Sequence, residues 1–111
     1  MISPFVNDMF AFVYLAFKNL YPNKDCEIQW VTEDLLGEGH YGCTTFGEDG
    51  KILVDISASI PVADAVEVLA HELAHVAVGI EKDHTDEFER AFDAIFVEYN
   101  KLIETVLEAS K

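Results

Sequence analysis

The sequence predicts an α+β fold: an N-terminal helix, a small three-stranded sheet, a helix carrying the candidate site, and a long C-terminal helix. Three observations predict it. Apolar residues recur at helical spacing near both ends of the chain. Short alternating runs lie between them, two of which are joined through Asp49-Gly50, a pair that favours a hairpin turn. A third apolar run, from Pro61 to Gly79, is bounded by a helix-starting proline and a helix-ending glycine. With 111 residues, half of them apolar, the chain can bury one core, so residues 1–111 read as a single domain and wholesale disorder is excluded.

Ser3-Pro4 is a helix start, a capping hydroxyl followed by proline at the first helical position. Phe5, Met9, Phe12, Val13, Ala16, Phe17 and Leu20 then repeat at helical spacing, and Phe10 and Tyr14 widen the apolar face enough for two neighbours. Pro22 and Asn23 end this helix near Tyr21. Residues Cys26 to Thr32 alternate, with Cys26, Ile28, Trp30 and Thr32 on one side and Glu27, Gln29 and Val31 on the other, which predicts a strand with one wet face. Glu33 to Gly42 contains three glycines among acids and reads as a loop. Tyr41 to Phe46 and Lys51 to Ile56 are the two arms of the hairpin.

The run after Pro61 is small or apolar at nearly every position from Val62 to Val78, as expected of a helix buried on most sides. Ser59 or Asp64 is the expected cap. Thr85-Asp86-Glu87 opens the last helix, with acids placed favourably at its N-terminus. Its stripe of Phe88, Ala91, Phe92, Ile95, Phe96, Tyr99, Leu102, Ile103 and Val106 carries it to about Ala109.

The net charge of −14, from 21 acidic and 7 basic residues, repels phosphate and argues against nucleic acid as a partner. It would draw cationic peptides or a basic protein surface. Cys26 and Cys43 do not form a C-x-x-C, and two cysteines are too few for a secreted disulfide framework. Both read as reduced strand or core residues, with a Cys26–Cys43 bridge or a thiolate ligand as the lesser alternatives. The apolar stretch Phe10 to Phe17 has no basic leader and is too short to span a bilayer, so a cytoplasmic protein without a membrane partner is expected.

The chemistry lies in His71-Glu72-Leu73-Ala74-His75, an H-E-x-x-H on the apolar run. On a helix, residues four apart share a face, so both imidazoles can close on one zinc ion while Glu72 faces a water on that ion. Such a water has its pKa lowered to about 7, and Glu72 would move its proton to a leaving amine. Glu72 is thus the catalytic acid/base and not a ligand. Hydrolysis needs a third protein ligand and an open fourth position. His84, beyond Gly79, is the leading candidate for that ligand. Glu87 is its main rival, and Glu81 and Asp83 are weaker ones. His40, Tyr41 and Tyr99 are candidates to assist at an oxyanion, although a loop role for the first two and core packing for Tyr99 are the expected outcomes.

The pair of elements His71-Glu72-Leu73-Ala74-His75 and His84-Thr85-Asp86-Glu87-Phe88 resembles the SprT-like and minigluzincin-type short zinc metallopeptidases, whose pattern is H-E-x-x-H, a spacer, then H-x-x-x-F. The resemblance implies a minimal zincin-like fold, zinc held by His71, His75 and His84, and peptide-bond hydrolysis with Glu72 as base. Thr85 stands where those proteins often carry glycine, and the acidic charge argues against the DNA-associated role of some of them. An exposed edge strand, expected at Tyr41 to Phe46, would pair with an extended peptide substrate. Two other functions keep the same metal logic: a catalytically idle metal-binding interaction module with a blocked site, and amide hydrolysis on a small molecule.

Overall fold

The computed structural model describes residues 4–32, 36–37, 40–79 and 85–109 and has the expected α+β layout. In chain order these residues form α1 (Pro4–Leu20), β1 (Glu27–Val31), β2 (Gly42–Phe46), β3 (Ile52–Ser57), α2 (Val62–Val78) and α3 (Asp86–Ala109). The expected cap Ser3 lies outside the described residues, as does much of the glycine-rich loop, residues 33–35 and 38–39. Gly42, where the expected loop and the expected strand overlap, opens β2.

Helix α1 stops just before the Tyr21-Pro22 step, and its last turn is tied down by Lys18. The Lys18 ammonium donates to the carbonyls of Pro22 (3.2 Å) and Lys24 (2.7 Å) and to Asp25 Oδ1 (3.0 Å). A cation at a helix C-terminus also complements the helix dipole. The same hydrogen bond, helped by the charge of Lys18, holds the Asp25 carboxyl below the usual carboxylate range.

The sheet runs β1-β3-β2, with β3 parallel to β1 and antiparallel to β2. The Asp-Gly hairpin forms as expected. Gly50 takes φ +84°, Gly47 N–H donates to the Lys51 carbonyl at 2.8 Å, and the Asp49 carboxylate accepts from Lys51 N–H at 3.1 Å. Strand β3 then slots between the other two, and its Val54 and Ile56 are fully buried. Register aligns Ile28, Val54 and Thr44 in one row across the sheet, and Trp30, Ile56 and Gly42 in the next. Because side chains alternate across a strand, these rows share the face turned to the helices. On the other face, Gln29 donates to its neighbour Asp55 at 2.6 Å.

Helix α2 is packed by α1, α3, β2 and β3, which accounts for its apolar sequence. Leu69, Leu73, Ala74 and Val76 are almost wholly inaccessible, and they meet Val13 and Phe17 of α1 and Ile95 of α3 in one core. Neither Ser59 nor Asp64 caps this helix. Pro61 occupies the cap position with no side-chain hydrogen bond, its carbonyl accepting from Ala65 N–H at 2.9 Å. Proline's fixed φ already suits this position, and its missing N–H leaves one donor fewer to satisfy. Gly79 closes the other end at φ +85°, donating to the His75 carbonyl at 2.9 Å.

At α3, the Thr85 hydroxyl accepts from Phe88 N–H at 3.4 Å. The stripe is buried at Phe88, Ala91, Ile95 and Tyr99, but Val106 at its far end is exposed. The reason is length. A helix of 24 residues extends roughly 36 Å at 1.5 Å per residue, against roughly 25 Å for its 17-residue neighbours, so its last turns project beyond them. No helix among the described residues is long and apolar enough to cross a membrane.

Cys26 and Cys43 are free. Cys26 directly precedes β1 and Cys43 lies in β2, and those strands stand on opposite sides of β3, two strand spacings or about 9.5 Å apart, beyond the reach of a disulfide. Burial, reinforced by the Asp25 charge, pushes the Cys26 thiol up to about 11, whereas Cys43 is exposed. A thiol-reactive chromogen at pH 8 is therefore expected to label Cys43 quickly and Cys26 slowly, and Cys43→Ala to remove the fast phase. Equal rates for the two thiols would contradict this arrangement.

Candidate metal centre

His71, Glu72 and His75 lie on the second half of α2, where four-residue spacing stacks the two imidazoles along one face. Their Nε2 atoms are 3.2 Å apart. Two nitrogens each about 2.0–2.1 Å from one tetrahedral ion stand about 3.3–3.4 Å apart, so the pair matches the bite of a single metal. Nitrogen and carboxylate atoms of His71, Glu72 and His75 all lie within 4.8 Å of one another, a group that could hold a metal ion.

The rings are steered from α3. Phe88, only 5% exposed, packs on both imidazoles, with ring centroids 4.9 Å from His71 and 4.4 Å from His75. Phe92, one turn on, lies 5.9 Å from His71 and stands edge-on to it. Contacts of this kind restrict the side-chain rotations of both histidines. Phe88 thus has a physical role that its place in the sequence pattern only hinted at.

Glu72, 7% exposed, also meets the sheet. Its Oε1 accepts from the Thr44 hydroxyl at 2.7 Å, and its main-chain carbonyl lies 3.3 Å from the same hydroxyl. Close approach of β2 to α2 makes this possible. A Cβ on Gly42 would fall 2.6 Å from Val68 Cγ1 and 3.0 Å from both Cγ and Oε2 of Glu72. Sequence reading passed over Thr44 and Gly42 as site residues. The available signal was alternation along β2, which puts residues 42 and 44 on the face opposite Cys43 and Thr45.

A cleft of about 600 Å³ opens beside Glu72 and His71, between His40, Tyr41 and Gly42 on one side and Asp64, Glu67 and Val68 on the other. A second hollow of about 440 Å³ continues from His71 past Phe88, Glu89, Phe92 and Asp93 of α3. His40 and Tyr41 lie in the loop before β2, as expected, and border this cleft. Tyr99 is core, as expected. It is 7% exposed, its ring meets Phe96 edge-on at 6.0 Å, and burial raises its phenol. Glu87 is exposed in the first turn of α3 and is not part of the His71-Glu72-His75 group. His84, Glu81 and Asp83 lie outside the described residues.

Comparison of the chain with models of known protein families, with curated proteins and with solved structures gave no match.

Space at Gly42 governs how closely β2 approaches Glu72. Gly42→Ala is expected to lower stability by about 1–3 kcal/mol, the usual cost of over-packing, as read from urea unfolding. An unchanged midpoint would mean that the strand does not need this contact.

Proposed function

We propose that this chain is a zinc-dependent peptidase of minimal zincin-like type, similar to the SprT-like and minigluzincin enzymes. The observation that carries the reading is the 3.2 Å separation of the two imidazole nitrogens, with a buried carboxylate beside them at the edge of a cleft. His71 and His75 would be two ligands. His84 would be the third, supplied from the segment that leads into α3. Support for that choice comes from Phe88, four residues further on, which lies against both imidazoles as the H-x-x-x-F element requires.

Bound there, zinc would supply Lewis acidity and lower the pKa of a water molecule. Glu72 would take that water's proton as it attacks the peptide carbonyl, and would return it to the departing amine nitrogen. Burial keeps this carboxylate away from bulk water, and its hydrogen bond to Thr44 limits its motion. Among the described residues β2 pairs only with β3, so its outer edge offers backbone groups to an extended substrate. Tyr41, 48% exposed at the start of that strand, would contact the substrate beside the cleft.

The substrate would be a peptide or protein carrying basic residues. Apart from the metal-centre group and His40, the charged or titratable side chains named in the two hollows besides Tyr41 are Asp64, Glu67, Glu89 and Asp93, all acidic. With a net charge of −14 the whole surface reinforces that preference.

The parent protein is expected to hold about one zinc per chain, with Glu72→Gln retaining the metal but losing peptide hydrolysis by at least about 10²-fold. His84→Ala should cut zinc content. Parental cleavage by Glu72→Gln would remove the acid/base role, and full zinc content in His84→Ala would move the third ligand to a carboxylate such as Glu87. Zinc binding without any cleavage in a broad peptide screen would favour the idle interaction module. The double variant Asp64→Asn/Glu67→Gln should raise KM about three- to fivefold for peptides with lysine or arginine near the scissile bond, and leave neutral peptides unchanged. Equal changes for both would show that these acids do not select charge.

A further inference from the structure

The Glu72 carboxylate has two oxygens, and they stand in different places. Oε1 is 2.7 Å from the Thr44 hydroxyl, the ordinary length of an O–H···O hydrogen bond. Oε2 lies 3.0 Å from where a Cβ on Gly42 would sit, and Gly42 and Glu72 both line the cleft. A hydroxyl has one proton to give, and the 3.3 Å distance to the Glu72 main-chain carbonyl is the weaker of its two options. Thr44 itself is held by the sheet. It pairs with Val54 of β3, whose side chain is fully buried, and it lies in the middle of a five-residue strand.

We propose that Thr44 is a positioning residue for Glu72: its hydroxyl holds Oε1 against β2, so that Oε2 is the oxygen presented to the cleft for proton transfer. Gly42 completes the seat by leaving room for that oxygen. The inference rests on Glu72 acting as the base. It adds that a strand residue which touches neither metal nor substrate sets the carboxylate's orientation. Without the bond the carboxylate loses an anchor on Oε1, and its terminal torsion, which is broad for glutamate, is less restrained. Fewer molecules then have the proton acceptor in line, and misplacement of a catalytic group by about 1 Å can cost as much as about 10²-fold.

Thr44→Val removes the hydroxyl while keeping the branched shape that suits a strand, and Thr44→Ser keeps the hydroxyl. In the zinc-loaded protein, Thr44→Val is expected to lower kcat about 10- to 100-fold with KM changed less than about twofold and zinc content unchanged, while Thr44→Ser stays within about threefold of the parent. Parental kcat in Thr44→Val overturns the proposal, as does a Thr44→Ser variant as slow as Thr44→Val. A crystal structure of each variant gives a readout independent of turnover. Glu72 should keep its carboxylate orientation in the parent and in Thr44→Ser and lose it in Thr44→Val. An unmoved carboxylate in Thr44→Val overturns the positioning role. If the parent binds zinc yet cleaves nothing, the general-base reading falls, and the crystal structures alone decide whether Thr44 orients the side chain.

Discussion

A carboxylate withdrawn from water must find a donor or become too costly to keep ionised. For Glu72 the Thr44 hydroxyl is one such donor, and much of the architecture around the candidate site follows from bringing the two together. β2 must lie close against α2, which is why Gly42 has no side chain to place between them. β2 must also face Thr44 inward, which its antiparallel register with β3 ensures. The hairpin turn at Asp49-Gly50 sets that register, so a local turn preference is transmitted to the candidate site through a five-residue strand.

The two imidazoles depend on a different contact. Their shared face is a property of α2 alone, but a shared face still leaves the rings free to rotate. Phe88 and Phe92, brought by α3, press on that face and narrow the choice. The candidate metal site is thus built from three elements. α2 supplies the polar groups, β2 gives the carboxylate its hydrogen bond from Thr44, and α3 packs Phe88 and Phe92 against the rings. Val13, Ala16 and Phe17 of α1 fill the core behind α2.

Charge adds a further layer. The surface is strongly acidic, and the hollows flanking His71 repeat that sign with Asp64, Glu67, Glu89 and Asp93. A cationic ion or peptide side chain entering there is attracted before it makes contact, and low-dielectric walls strengthen that attraction. Tyr41 and Phe92 add aromatic faces at the same cleft, on which a guanidinium or ammonium can rest.

Local signals in the sequence were strong wherever one element suffices. Helical spacing located α1 and α3, the continuous apolar run from Pro61 to Gly79 located α2, and Asp49-Gly50 marked the hairpin. The pairing of His71 with His75 was legible for the same reason, since four-residue spacing on a helix needs no tertiary information. The cap of α2 was misread because a serine or aspartate is the usual choice, whereas proline can occupy that position through its fixed φ alone. Val106 was assigned to the buried stripe because periodicity says which face is apolar, not where the neighbouring helices end. What the tertiary structure alone decided is the order β1-β3-β2, the closeness of β2 to α2, and hence the meeting of Thr44, Gly42 and Glu72. Thr44 and Glu72 are 28 positions apart, and no periodic pattern encodes a contact across such a distance, because it depends on how two already formed elements pack.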